Sequence, residues 1–458
     1  MRQGEIIGRI DSPFYSPNNS LNLTGKYPIA TLRDLSKRII QPTEFIREYV
    51  EDSENAIPVL RAANVEDGYL NTTDVVFISK ERLKSAKDSF IEAGDLLITR
   101  TGAKAGATCV VRPLDKQYVI SSHSIRVIPN KEKVIPEYLE LFLLSASGKS
   151  QVNRLLTGAA QKQLQLASIA TVQIPLPPLD VQKSLVAEME SARATRQAKL
   201  AEADNLLKGI DEFVLKELDI KLPKEEKRNT FAVKLSKVKQ GRQDVTYYKP
   251  YYERLVNTLN KSKFLKVSLE KISPDLVGGA TPTRGDAELY AEDGIKFLRI
   301  LNIGENEIVL EDLNYIKEAV HNGELKRSQL KENDVLMTIT GRVGTSAVVS
   351  KDNLPANINQ HIVRMRIIHQ ECLPEYLAIY LNSSIGKALS NRGVTGGTRI
   401  ALDYEVIKKI QIPLPPKAIQ EKIIKELYDL QSQARQLRQQ AESQWQTAKE
   451  KFEKVLLG

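Results

Sequence analysis

An α+β protein built twice to one plan is the architecture that this 458-residue sequence predicts. Each half is a globular domain followed by a long helix, and the two helices pair antiparallel as a coiled coil. Three observations support this. The chain repeats itself at an offset near 238 residues, and each copy mixes short strand patterns with short helix patterns. Each copy then ends in a long run with apolar residues at steps of three and four.

The repeat is carried by collinear blocks. QIPLPP at residues 173–178 recurs at 411–416, and the glutamine four places after its last proline recurs with it, as Gln182 and Gln420. PEYL at 136–139 recurs at 374–377. His123 and Arg126 correspond to His361 and Arg364; Leu60, Arg61 and Asn64 correspond to Leu298, Arg299 and Asn302. GDLLITRTG at 94–102 resembles NDVLMTITG at 333–341 with an offset of 239, the extra residue being absorbed before Gly106 and Gly344. Near the start, Gly8, Arg9, Asp11, Tyr15 and Pro17 correspond to Gly241, Arg242, Asp244, Tyr248 and Pro250. Solenoid repeats have periods of about 20–50 residues, so this longer period means two copies of a whole module.

The first globular domain spans residues 1–178. Alternating apolar runs at 95–99 and 120–128 read as half-buried strands, as do 296–301 and 334–339 in the second domain. Residues 136–145 and 374–382 carry helical spacing directly after a proline, a residue favoured in the first helical turn. Strands interspersed with short helices, without a βαβ rhythm, indicate α+β. The IPLPP block has three prolines in four positions, which excludes helix interior and central strand. It reads as a rigid extended lead-in to the helix that follows.

The first long helix occupies 179–218. Its seam is clean at Leu200, Ala203, Leu207, Ile210, Val214 and Leu218 and extends back through Met189 and Leu185. A connector at 219–245 holds eight basic and four acidic residues, with one short strand expected around 231–235. The second domain spans 246–416 and the second helix 417–458. That helix carries Ile419, Ile423, Leu427, Leu430, Ala434, Leu437, Ala441, Trp445, Ala448, Phe452 and Val455 along one seam. At 1.5 Å per residue it is about 60 Å long. A helix with one apolar stripe needs a partner, and the other copy's helix is the natural one.

The formal charge of +9 suggests an anionic partner, but its distribution is thin. The domains carry +3 and +2, the helices −2 and +2, and the connector +4. Any nucleic-acid surface is therefore a local patch. Cys109 and Cys372 are the only cysteines, which argues against a disulfide scaffold and a cysteine-rich zinc site. The first residues, MRQGEIIGRI, have no apolar core of the kind a signal peptide carries. No run approaches the roughly 20 apolar residues of a membrane helix, so a cytoplasmic location is expected. The sequence has no phosphate-loop motif, no dinucleotide fingerprint and no amino-methyltransferase tetrapeptide. Pro274-Asp275 has no suitably placed Glu-x-Lys to complete a nuclease motif. The chain is expected not to be an enzyme, with no catalytic or metal-binding residues. His123 and His361 are expected to be packing or hydrogen-bonded residues rather than ligands.

Taken together, the doubled module resembles the specificity subunit of Type I restriction–modification systems. The residues that carry the resemblance are the IPLPP blocks with Gln182 and Gln420, the Leu-Arg-x-x-Asn pairs, the Thr-Gly blocks and the Gly-Gly-x-Thr-Pro run at 278–282. It covers essentially the whole chain. The resemblance implies two target-recognition domains, each reading one half of a bipartite asymmetric site in double-stranded DNA. The helices would set the gap and dock two methyltransferase subunits, which use S-adenosylmethionine to methylate adenine at N6. Restriction subunits using ATP and Mg would join the complex, and this chain would itself bind no cofactor. Two other readings fit the same residues. One is the specificity subunit of a Type IIB or other phage-defence methylase system; the other is a two-headed protein-binding scaffold without a DNA role.

Candidate DNA contacts follow from side-chain chemistry. Arginine suits guanine and Asn or Gln suits adenine in the major groove, while Lys, Thr and Gly amides suit phosphates. In the first domain the candidates are Thr99, Arg100, Thr101, Lys104, Ser122, Lys162 and Gln163. In the second they are Thr281, Thr283, Arg284, Thr340, Arg342, Asn359, Gln360, Thr398 and Arg399. Arg61, Asn64, Arg299 and Asn302 match between copies, so they cannot tell half-sites apart and read as structural or phosphate-directed.

Overall fold

The protein is described by a computed structural model covering residues 25–44, 48–83, 87–158, 162–225, 230–239, 244–282, 289–395 and 401–458. The repeat blocks at 8–17 and at Gly241 and Arg242 lie outside these residues. The chain forms two compact units. One runs to Leu200 and includes Arg438–Gly458; the other is Ala201–Leu437. Each unit therefore contains one globular domain and one half of each long helix.

In the first unit an antiparallel sheet has the strand order Ser36–Ile40, Ser124–Pro129, Leu96–Thr99, Thr108–Val110. A smaller sheet places Ala56–Leu60 between antiparallel Val76–Ser79 and parallel Val119–Ile120. The second unit repeats this plan. Its main sheet runs Leu276–Gly278, Ile362–Met365, Val335–Thr338, Ser346–Val348. Its smaller sheet again contains a parallel pair, Ile295–Leu298 with Ala356–Ile358. The parallel partners Val59 and Val119 thus recur as Phe297 and Asn357 at an offset of 238.

Of the strands expected to be half-buried, the central ones at 96–99 and 335–338 are buried on both faces, whereas the run expected at 296–301 is a strand only to Leu298, partly buried, and turns into a short 3-10 helix at Ile300–Asn302. Leu96 and Ile98 pack against the helix Pro136–Leu144 through Tyr138, Leu139 and Phe142, while Leu97 faces Leu60 and Ile120 of the smaller sheet and Val65 of a separate two-stranded ribbon. All four residues of Leu96–Thr99 are buried, and so are all four of Val335–Thr338. A strand covered by a helix on one side and a second sheet on the other shows no polar alternation. The run expected at 120–128 is interrupted by a turn, Ser124 N–H donating to Ser121 O, and so forms two strands in different sheets. The strand expected around 231–235 does not form; residues Leu235–Lys239 make a short helix. No strand among the described residues pairs with 230–234, and an unpaired extended segment gains no ladder hydrogen bonds.

The recurring motifs at the domain–helix joint form one clamp, made twice. The proline block is extended, as expected, and Gln173–Pro175 pairs with Ile29–Thr31 in a two-stranded ribbon. The fully buried Gln182 reaches back from the first helical turns. Its Nε2 donates to Pro177 O (2.8 Å) and Lys133 O (3.3 Å), and its Oε1 accepts from Ile135 N (2.9 Å). Gln420 does the same with Pro415 O, Glu371 O and Leu373 N. The PEYL tyrosines complete the clamp: Tyr138 donates to Pro175 O and Tyr376 to Pro413 O. Burial pushes both phenols upward, so they remain donors.

The long helices are Leu179–Glu217 and Lys417–Leu457. They run antiparallel. In the first unit Glu188 pairs with Lys451 (2.6 Å) and Arg196 with Glu442 (2.6 Å); in the second Glu217 pairs with Lys422 (2.7 Å). Ala203, Ala434 and Ala441 are buried along the seam. The helices also enter the domain cores. Leu185 and Met189 from the start of the first helix and Phe452 and Leu456 from the end of the second join the first unit's core. Ile423 and Leu427, with Val214 and Leu218, join the second's. In each unit a carboxylate from the incoming helix end binds a short domain helix. Glu453 accepts from Ser147 N (2.8 Å), and Asp211 accepts from Ser384 N and Oγ (both 2.7 Å). No described helix is long and apolar enough to cross a membrane.

Candidate nucleic-acid interface

In each domain the central strand ends in a Thr-Gly turn, and that turn meets a loop leading into the next sheet strand. The glycines, Gly102 (φ +103°) and Gly341 (φ +67°), take a left-handed conformation that a side chain would strain. In the first domain Arg100 N donates to His123 O (2.8 Å) and Arg100 Nε to Ser122 O (3.1 Å). Thr101 Oγ1 lies 2.8 Å from His123 Nδ1. The returning segment closes the node: Gly102 N donates to Lys162 O, and Thr101 bridges to Gln163. The structure therefore brings Arg100, Thr101, Ser122, Lys162 and Gln163 together, with the Lys162 side chain exposed.

The second domain builds the same node from different side chains. Ile339 N donates to His361 O (2.9 Å), and Thr340 Oγ1 lies 3.0 Å from His361 Nδ1. Thr340 bridges to Ala401 as Thr101 does to Gln163. Alongside runs Gly278-Gly279, where Gly279 N donates to Ile362 O. A Cβ on Gly279 would sit 2.0 Å from Ile358 O and 2.3 Å from Asn359 O, so only glycine allows this approach. It delivers Thr281, whose hydroxyl bonds Gln360 Oε1. Thr281, Arg342 and Gln360 are exposed. Arg342 holds the turn through its carbonyl, which accepts from Thr345 Oγ1 (3.0 Å). Its guanidinium makes no hydrogen bond or ion pair with a described residue.

Three of the expected contact residues face inward. Thr99 is fully buried with its hydroxyl toward Ala62 O (3.4 Å), because it is the last residue of a strand covered on both faces. Ser122 is 5% exposed and Asn359 8% exposed. Asn359 turns its Oδ1 to His361 N (3.1 Å), and Ser122 offers its carbonyl to Arg100. These residues shape the node instead of presenting side chains. Lys104 is exposed and ion-paired with Glu66 (3.0 Å). Thr283, Arg284, Thr398 and Arg399 lie outside the described residues.

The matched Arg and Asn pairs are structural in both domains. Asn64 Oδ1 accepts from Arg61 N (2.8 Å), and its Nδ2 donates to Asn71 O and Asp74 O. Asn302 repeats this with Arg299 N, Val309 O and Glu311 O. Arg61 pairs with Asp74 and Arg299 with Asp312. The histidines are hydrogen-bonded, as expected. What sequence reasoning missed is their partner, although the signal was present: Thr101 and Thr340 match between copies just as the histidines do. Among the described residues no group of acidic, histidine or cysteine side chains could hold a metal.

Comparison with known proteins agrees with this architecture. The family model described as Type I restriction modification DNA specificity domain matches residues 7–202 and 275–444. The chain is 22% identical over 418 residues to the Type I restriction enzyme EcoKI specificity subunit of Escherichia coli K12, covering 88% of this chain and 81% of that protein. It is 25% identical over 285 residues to the EcoBI specificity subunit of Escherichia coli, covering 61% and 56%. A solved chain from work on complex assembly and conformational transition of the type I R-M system superposes with a TM-score of 0.55 at 16% identity. That match covers 95% of this chain and 98% of the other.

Proposed function

Because the chain belongs to the Type I restriction–modification DNA specificity family, we propose that it is the non-catalytic subunit that addresses such a complex to its DNA sequence. Each globular domain reads one half of a bipartite, asymmetric site. The paired helices set the gap between half-sites and dock methyltransferase subunits. Those subunits carry S-adenosylmethionine and modify adenine at N6, and restriction subunits bring ATP and Mg. On this reading residues 1–178 read one half-site and 246–416 the other.

One observation supports the DNA-reading part above all. The two domains build the same node from different side chains: Arg100, Ser122 and Gln163 in the first stand where Ile339, Gln360 and Ala401 stand in the second. A common frame with different side chains built around it is what two readers of different sequences require, since base edges are told apart by donor and acceptor pattern. The test is selection from a randomised duplex library by the chain assembled with its methyltransferase partners. Enrichment of one bipartite motif is expected; recovery of no motif overturns the reading. Exchanging residues 1–178 for those of another family member is expected to change one half-site only.

A further inference from the structure

The Thr–His pair of each node has no part in telling the two half-sites apart, because it is the same in both. Thr101 with His123 and Thr340 with His361 occupy equivalent positions, at 2.8 and 3.0 Å, while the residues around them differ. We propose that His361 donates Nε2–H to a DNA phosphate in the second domain's half-site. The inference rests on the DNA-reading assignment above.

His361 is held for such a task. Its carbonyl accepts from Ile339 N and its amide donates to Asn359 Oδ1, so the backbone is fixed from both sides. The ring is fixed by Thr340 at Nδ1, and Thr340 Oγ1 has no other partner among the described residues. The ring is partly exposed, and Nε2 bonds to no described residue. A neutral imidazole has one donor and one acceptor nitrogen. When the threonine hydroxyl donates to Nδ1, the proton lies on Nε2, which then suits an anion. Neighbouring Gln360 and Thr281 mark the same face as the one carrying the candidate contacts. A feature kept while its neighbours vary suits the part of DNA that does not vary, and phosphate contacts position a reader without specifying sequence.

The experiment uses the full chain assembled with its methyltransferase partners. The probes are duplexes carrying its own motif, each with one phosphate replaced by a neutral methylphosphonate. Wild type is expected to lose about tenfold in affinity at one particular phosphate of the second domain's half-site, the size of one charge-assisted hydrogen bond. His361→Ala is expected to lose a similar factor on unmodified duplex and to be indifferent to that one replacement. His361→Gln, which keeps a donor near Nε2, is expected to bind nearly as wild type. His361→Asn, which keeps only the partner for Thr340, is expected to be as weak as alanine. Rescue by Asn but not Gln overturns the proposal, as does a changed base preference in His361→Ala. Equal sensitivity of wild type and His361→Ala at every phosphate overturns it too, and leaves the DNA reading standing. Failure of wild type to bind any duplex overturns both.

Discussion

Replacing Gln182 with leucine probes the joint on which the first module depends. Leucine keeps much of the volume but has no polar atom. Gln182 is fully buried and serves Ile135 N–H, Pro177 C=O and Lys133 C=O. Lys133 is exposed and its carbonyl can turn to water, whereas Pro177 is buried and Ile135 half-buried. Two backbone groups therefore lose their partner inside the protein. At about 1–3 kcal/mol for each sealed, unpaired group, the loss is about 4 kcal/mol. The added apolar burial of leucine offsets on the order of 1 kcal/mol. A net destabilisation of about 3 kcal/mol is expected, a large share of the ~5–15 kcal/mol typical of a domain. Trp445 is the single tryptophan and packs against this unit's core, so its fluorescence reports the unit's urea unfolding selectively. Hydrogen exchange at the Ile135 amide gives an independent reading. A loss below about 1 kcal/mol, with that amide still protected, would show that the clamp is not what fixes the joint.

Asp211→Ala removes the carboxylate that binds Ser384 and should destabilise the second unit by about 0.5–2 kcal/mol in denaturant unfolding, as for other helix caps. Asp95→Asn breaks the buried pair with Arg126 (2.7 Å) and should cost about 3–5 kcal/mol, because it strands a buried guanidinium; a shift of a few tenths would contradict this. Burial pushes the thiols of Cys109 and Cys372 up to about 12, so the thiolate is present only as pH approaches that value. At pH 8 about one thiol in ten thousand is ionised, and mass spectrometry should find alkylation only after unfolding. Arg342→Ala should weaken specific binding by about 1–3 kcal/mol and relax base preference in one half-site; an unchanged motif and affinity would remove it from the interface.

How much of this can be read from residue order depends on whether the residue's role is local. The repeat, the helix pair and the PEYL, IPLPP and glutamine blocks are legible because prolines and apolar spacing constrain the chain where they stand. What the glutamines do is not legible, since Gln182 meets residues 133 and 135, almost fifty positions away. Burial of Leu96–Thr99 on both faces is hidden for a similar reason: the second covering layer comes from residues 56–60 and 119–120. The candidate interface is legible as a neighbourhood and not residue by residue. Thr99 and Thr101 are both threonines beside an arginine, yet the strand ends at Thr99, so one lies in the core and the other reaches His123. Only the tertiary path of the chain separates them.

Methylome sequencing of the source strain with the gene intact and deleted bears on the whole account at once. The expected result is one bipartite adenine-methylated motif with two different halves, present with the gene and lost without it. Methylation that is the same in both strains would contradict the assignment of this chain as the addressing subunit.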